Sequence, residues 1–295
     1  MQEFDSNLRK RGMMLTSGRA YGFLKEFLSN PLVAMAFIVI VLFVVMSAAP
    51  QLFTPHDPYK MEPVERLNPP GLRNLLGTDE MGRDLYTRIV YGARLTISFS
   101  VGVILIALTI GILIGGISGY CGKFIDSVIM RSTDLFLAFP MFVLAMAIVS
   151  ALGRSLVNAM FALSLVWWAQ YARLMRGQVL VAKQELYVHA ARATGTKSHV
   201  ILFRHILPNC FAPLLVKATL DISMAILLLS ALSFIGLGAE PPIPEWGAII
   251  TTGRRYLIGY WWYPTFPGLA IFLVSMAFNI MGDTLGDLLD PRRIR

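Results

Sequence analysis

The stretch LTISFSVGVILIALTIGILIGGISGYCG, residues 95–122, decides the fold. It contains no Asp, Glu, Lys or Arg. About 18 such residues suffice to cross a bilayer as a helix. Within it Gly111, Gly115 and Gly119 recur every four residues after Ala107. That spacing puts them on one helix face, where another helix can approach closely.

Three more stretches, 32–49, 135–153 and 155–172, are also free of charge. A fifth, 209–236, carries Lys217 and Asp221, and a sixth covers 256–282. None alternates over about ten residues as barrel strands do. The fold expected is therefore all-α: a polytopic membrane helix bundle with six transmembrane helices. Composition agrees, with 56% apolar residues and only 15% charged, against about 25% charged in soluble domains. An ordinary soluble enzyme, a disordered tail and a coiled coil are excluded. Cys121 and Cys210 are too few and too far apart for a disulfide framework.

The net charge of +8 would point to nucleic acid in a soluble domain. Here its placement matters more. With both ends in the cytoplasm, 16 of the 26 Lys and Arg fall on the inner side, as the positive-inside rule requires. No nucleic-acid partner is expected; membrane lipid is. The first stretch follows a long leading segment and exceeds a signal-peptide core, so it is expected to remain as a span. Tyr256, Tyr260, Trp261, Trp262 and Tyr263 are expected to anchor the outer surface, and Trp167, Trp168 and Tyr171 either to line a cavity or, more commonly for such residues, to form an interfacial belt.

The outer loop, 50–94, is rich in proline before Leu76-Gly77-Thr78-Asp79. Thr78 or Asp79 is expected to cap a short helix through Tyr91. His56 with Asp57, Glu62 and Glu65 lacks ligand spacing, so no metal site is expected there. Lys217 and Asp221, four apart, share a face and form either an internal ion pair or a wall of a pathway, together with Met224. Asp134 is expected to pair with Arg131. Asn279, Asp283, Asp287 and Asp290 line one helical face, either solvated or against a partner, and Pro291 ends that helix.

Residues 183–194 are good helix formers ending at Gly195. A second amphipathic helix is expected to follow, with Val200, Ile201, Phe203 and Leu207 on its apolar side, before Pro208 restarts the chain into a span. The two make a compact knob outside the membrane.

This segment resembles the EAA loop of the membrane subunits of bacterial ABC importers. Ala190, Ala191, Gly195, Leu207 and Pro208 fall on the motif; His189 stands in place of its Glu and His205 in place of its hydrophobic residue. Glu185, one turn before His189, is positioned to pair with it. Three further strings extend the likeness: 76–84 (LGTDEMGRD), 236–247 (GLGAEPPIPEWG) and 279–291 (NIMGDTLGDLLDP). Together they resemble the second permease subunit of dipeptide, oligopeptide and nickel importers, over about residues 25 to 293.

The resemblance implies a type I importer permease fold with these parts: an amino-terminal cytoplasmic segment 1–31, a first transmembrane helix 32–49, an extracytoplasmic loop 50–94, a five-helix core 95–290 with its coupling loop 183–208, and a tail 291–295. It implies that Glu185, Tyr187, His189, Ala190, Ala191, Arg192 and Gly195 dock on an ATPase. Lys217, Asp221 and Met224 are candidates for the translocation path. Glu240, Glu245 and Trp246 are candidates for an outer gate or a binding-protein contact, the alternative being a rigid turn. The implied partners are a second permease subunit, two cytoplasmic ATPase subunits and an extracytoplasmic substrate-binding protein, all at a bacterial inner membrane. No Walker A string occurs in the sequence, so ATP and Mg belong to the partners and no cofactor to this chain. Peptide is the default cargo, with nickel or glutathione as alternatives. An intramembrane enzyme would need a nucleophile with a base or a ligand cluster. A lone secondary transporter would need inverted repeats.

Overall fold

A computed structural model describes residues 30–289. The amino-terminal segment 1–29, Asp290, Pro291 and the rest of the tail, with the expectations attached to them, lie outside the described residues. Helix α1, Pro31–Ala48, starts where Asn30 accepts the Leu32 N–H at 3.0 Å and Pro31 pre-sets the first turn. It buries only Val33, Ala36, Phe43 and Ser47, a narrow stripe that leaves most of its apolar surface facing outward, as suits lipid.

Helix α2, Leu85–Cys121, is 37 residues long. The short helix expected to end at Tyr91 is its first turns, and Asp84, not Thr78 or Asp79, caps it by accepting the Thr87 N–H at 2.8 Å. Nothing from Tyr91 to Leu95 breaks the helix. Gly92 there lets the chain from the far end of the sequence come close, since a Cβ would sit 2.3 Å from the Pro244 carbonyl oxygen.

The third expected span is bent. Helix α3, Lys123–Ala138, begins well before the expected stretch 135–153, and α4, Met141–Leu152, leaves it at 91°. Pro140 lacks an N–H and pushes Phe139 into extended geometry (φ −93°, ψ 143°), which ends α3.

Helix α5, Leu156–Ala182, runs past the expected end at residue 172 and buries about half of its residues, Trp167, Tyr171 and Met175 among them. Helix α6, Leu186–Ala193, forms the first half of the knob. A helical run, Ser198–Phe234, then tightens and loosens through a π-helical turn (Ile201–Ile206) and a 3-10 turn (Leu207–Cys210) before α7, Phe211–Phe234. Helix α8, Trp246–Gly253, is short, and α9, Trp262–Leu289, closes the bundle.

Among the described residues four segments are long and apolar enough to cross a membrane: α1, α2, Ser198–Phe234 and α9; the bent pair α3–α4 makes a fifth if it counts as one span. The fourth expected span, 155–172, now part of α5, is not among them. That helix carries Asn158, Gln170, Arg173 and Arg176 and is shielded by its neighbours instead. The structure is thus an all-α polytopic bundle of four to five apolar spans.

Between lipid-exposed helices there is little hydrophobic drive, so close packing must hold them together. The glycine face of α2 supplies it. A Cβ on Gly111 would lie 2.3 Å from Tyr171 Cβ, and one on Gly115 would lie 2.2 Å from the Ala172 carbonyl oxygen. On Gly119 it would lie 2.9 Å from the Arg176 carbonyl oxygen. Backbone thus meets backbone along α2 and α5. Val103, Ile104, Ala145, Leu163, Val166 and Leu229 join α2, α4, α5 and α7 in one core. Gly282 of α9 meets α7 in the same way, 2.5 Å from Leu220 Cδ2 if given a Cβ.

The aromatic expectations are corrected. Trp167, Trp168 and Tyr171 are buried and form no interfacial belt; Trp167 also lines a cavity, the other reading of this cluster. Of the aromatics expected as an anchor, Trp262 and Tyr263 are buried while Tyr260 and Trp261 are exposed.

Candidate functional site

Three places bear on function: the knob, a cavity at mid-depth, and the end of the bundle that carries loop 50–84.

The knob is anchored from beneath. Val188 is fully buried among Met175 and Val179 of α5 and Ile201, Leu202 and Ile206 of the returning chain. The apolar side of that returning segment is Ile201, Leu202, Ile206 and Leu207. Phe203, expected inside, is exposed, because the π-helical turn shifts the phase of the face. Lys183, just past α5, donates from Nζ to the carbonyls of Gly119 (3.1 Å) and Tyr120 (2.9 Å). Those carbonyls end α2 and have no partner within their helix. One ammonium therefore locks the knob's base to the glycine-faced helix. Lys183 was missed in the sequence, although a cation beside a helix end is its signal.

Above that base the expected residues lie on one accessible surface. Glu185, Tyr187, His189, Ala190, Arg192 and Gly195 are exposed and Ala191 is half-buried. Glu185 precedes α6 without a side-chain cap bond, and its side chain makes no hydrogen bond to His189. Leu186, at 85% exposure, is the most prominent apolar residue of the knob. Gly195 has φ +78° with nothing within 4 Å of a would-be Cβ. It is needed there for its backbone angle, not for space.

At mid-depth Lys217 and Asp221 do pair, Nζ to Oδ2 at 3.0 Å. Lys217 also donates to Gln170 Oε1 at 3.1 Å, and its ammonium sits 5.5 Å from the Tyr171 ring centre. Trp167 Nε1 donates to Asp221 Oδ2 at 3.2 Å. The pair joins α5 to α7 and borders a cavity of about 540 Å³ lined by Phe142, Trp167, Gln170, Asp221, Met224 and Asn279, among others. The ion pair is present, and Asp221 and Met224 line the cavity while Lys217 stands behind Asp221. Gln170 was missed; a mid-helix amide inside an apolar stretch is its signal. Of the acidic face, Asn279 reaches the cavity and Asp283 is exposed.

Towards the knob end, Asp134 pairs with Arg173 rather than Arg131, and Asp126 with Arg176. Both bonds fasten α3 to α5.

At the other end the string 76–84 folds into a buried buckle. Asp79 accepts from Arg83 Nε at 2.6 Å, with Arg88 Nε at 3.4 Å. Arg83 also reaches Glu80 at 2.9 Å, and Tyr263 donates to the same carboxylate. Arg88 donates to the Pro58 and Pro242 carbonyls at 3.2 and 3.3 Å. Gly77 and Gly82 have positive φ, and a Cβ on Gly82 would lie 1.9 Å from the Glu62 carbonyl oxygen. The buckle ties together loop 50–84, α2, the strap 236–245 before α8, and α9. His56 lies in a polar pocket with Asp57, Lys60, Glu62 and Arg73, where Glu62 pairs with Lys60 and Arg73 and Asp57 accepts the Tyr59 N–H at 2.8 Å.

Glu245 and Trp246 are fully enclosed by this chain and present no surface. Glu245 caps α8 by accepting the Ala248 N–H at 2.9 Å and hydroxyl donors from Thr96 (3.3 Å) and Ser230 (3.4 Å). Burial pushes its carboxyl above the usual range, and these hydrogen bonds oppose the shift. Trp246 donates to the Ile89 carbonyl at 2.9 Å and meets Phe43 edge-on. Glu240 alone of the three is exposed.

Residues 111–295 match the family model described as binding-protein-dependent transport system inner membrane component. Residues 21–70 match the N-terminal TM domain of oligopeptide transport permease C. A probable D,D-dipeptide transport system permease protein of Escherichia coli is 44% identical over 89% of this chain and 88% of its own length. A dipeptide transport system permease protein of Alkalihalophilus pseudofirmus is 42% identical over 91% and 88%. A glutathione transport system permease protein of Pectobacterium atrosepticum is 37% identical over 92% and 90%. With matches of that extent to both the family model and full-length relatives, the chain belongs to the family of inner membrane components of binding-protein-dependent transport systems.

Proposed function

We propose that this chain is the transmembrane permease subunit of an ATP-driven, binding-protein-dependent importer of short peptides, forming half of the translocation path. The observation that carries the reading is mechanical. The exposed knob is fixed to α2 and α5 by Val188 and Lys183, and α5 with α7 walls the mid-depth cavity through Gln170 and Asp221. In this reading a push on the knob reaches the cavity wall through α5, one continuous helix beside both.

In this reading both ends lie in the cytoplasm, α5 completes six transmembrane helices, and the membrane is a bacterial inner membrane. The knob docks on a cytoplasmic ATPase through Leu186, Tyr187, Ala190 and Arg192, with Gly195 setting its turn; Glu185, His189 and Ala191 frame that surface. A second permease subunit supplies the other half of the path, two ATPase subunits supply hydrolysis, and an extracytoplasmic protein delivers cargo. Asp221 and Met224 face the passing peptide, and Lys217 backs Asp221. Because Asp221 and Lys217 neutralise each other, the wall holds no unpaired charge to trap cargo. Glu245 and Trp246 brace the outer strap, and Glu240 remains as its accessible charge. Names of the relatives support peptides as cargo, and the glutathione relative stays within that chemical class.

The test is uptake. The complete complex, reconstituted in vesicles with its binding protein, should accumulate labelled dipeptide only when ATP is supplied on the knob side. Accumulation by this chain alone, without ATPase subunits, would overturn the proposal.

A further inference from the structure

We propose that a second cavity, under the strap that follows α7, is a vestibule subsite for the charged termini of a short peptide, with Arg154 taking the carboxylate and Glu240 the ammonium. The inference rests on the import reading above and names the cargo chemistry at the outer mouth.

The cavity measures about 290 Å³ and is lined by Arg154, Ser233, Glu240, Ala248, Thr251 and Thr252, among others. Arg154 follows the end of α4, while Glu240 comes from the strap, so the two charges arrive from different elements. Both are exposed. Among the described residues neither side chain makes a hydrogen bond, and no ion pair within 4.0 Å joins them. That sets them apart from Asp79, Glu80, Asp126, Asp134 and Asp221, each of which is held by a cation of this chain.

The rest of the lining is neutral and fixed. Thr251 Oγ1 donates to the Ser233 and Phe234 carbonyls at 3.2 and 3.0 Å, and Thr252 to the Ala248 carbonyl at 3.2 Å. The strap is held by the Ala239 N–H on Ser233 Oγ at 3.2 Å and the Ile243 N–H on the Glu240 carbonyl at 3.1 Å. The net result is a small, preformed hollow with one free cation and one free anion. That is the complement of a zwitterion, and pre-organisation keeps the binding cost low.

Shape and position choose a peptide over a protein surface. The hollow is concave and sits near the ~300 Å³ lower end of small-ligand pockets. Ser233 lies twelve residues beyond Asp221 on α7, so the hollow is ~18 Å from the mid-depth ion pair along one helix. Peptide termini thus meet an open charge pair first and a self-neutralised pair next, an order that captures cargo at the mouth and releases it inward.

The experiment uses the assembled permease–ATPase complex in lipid nanodiscs without binding protein, probed by saturation-transfer NMR with dialanine and with N-acetyl-dialanine amide. Dialanine should bind and the blocked peptide should not. Arg154→Gln or Glu240→Gln should weaken dialanine by about tenfold, the loss of one charge-assisted hydrogen bond. The charge exchange Arg154→Glu with Glu240→Arg should restore binding, because a zwitterion can turn around. Equal binding of the blocked peptide, or dialanine binding unchanged in both single variants, would overturn the proposal. So would variants that keep dialanine but lose capture of the binding protein, since the charges would then be a protein contact. ATP-driven uptake by the wild-type complex reads the import function separately: its failure refutes that function, whereas normal uptake with indifferent variants refutes the subsite alone.

Discussion

Adding one methyl group at Gly115 tests the packing that holds the bundle together. The new Cβ would lie 2.2 Å from the Ala172 carbonyl oxygen and 2.8 Å from Ala172 Cα. Both are backbone atoms, which cannot rotate away as a side-chain tip can. Ordinary contact begins near 3.4 Å, so α2 and α5 must separate by roughly 1 Å along a seam where Gly111 and Gly119 also touch backbone. Overpacking of this kind costs about 1–3 kcal/mol. Against it stands the intrinsic gain of alanine over glycine in a helix, about 1 kcal/mol. Gly177 on α5 isolates that gain, since nothing lies within 4 Å of its would-be Cβ. Gly115→Ala is therefore expected to lower the temperature at which the purified complex loses its monodisperse chromatographic peak, and Gly177→Ala to leave it equal or raise it. Gly115→Val should be worse than Gly115→Ala. If Gly115→Ala matches wild type while Gly177→Ala falls, the close seam between α2 and α5 is refuted.

Other outcomes follow from individual contacts. Asp221→Asn should destabilise the complex by about 2 kcal/mol, below the 3–5 of a fully buried pair because both side chains are part-exposed, and Lys217→Met in the same chain should recover much of it; additive losses in a double-mutant cycle would deny the coupling. Glu245, with its carboxyl raised by burial, makes the folded chain bind more protons than the unfolded one just above the ordinary carboxylate range, so stability should fall as pH rises through that window. Glu245→Gln should remove that slope in thermal melts taken from pH 4.5 to 7.5, and an unchanged slope would assign it elsewhere. Gly195→Ala forces a left-handed backbone angle on a side chain at a cost of about 1–2 kcal/mol; it should impair peptide uptake while leaving the bundle's melting temperature unaltered, whereas a lowered melt with normal uptake would contradict a role confined to the knob.

Much of this architecture was readable before any coordinates. Uncharged runs located the helices, and the four-residue glycine spacing marked one side of a close helix contact, whose partner, α5, only the structure names. The knob's position came from Gly195 and Pro208. What the sequence hid were effects made by distant backbone. The 91° bend at Pro140 looked like part of a straight span because apolar content is continuous across it. Helix α5 read as lipid-spanning from its composition, yet its polar residues are satisfied by neighbours: Gln170 by Lys217, Arg176 by Asp126. Asp134 had a plausible cation three residues away and chose Arg173 across the helix packing. Trp246 and Glu245 looked like surface groups on a proline-rich loop; the strap carries them inward because Gly92 leaves room for it. Local spacing finds elements, and long-range contacts decide which polar groups are free.

The central claim is that an exposed knob on this chain receives the motion of separate ATPase subunits. Co-purification tests it most directly. The tagged chain, expressed with its partner subunits, should retain the ATPase on an affinity column, and Leu186→Asp should lose it while keeping the second permease subunit, because Leu186 is 85% exposed and contributes nothing to the bundle core. Retention of the ATPase by Leu186→Asp, with ATP-driven uptake intact, would contradict the account.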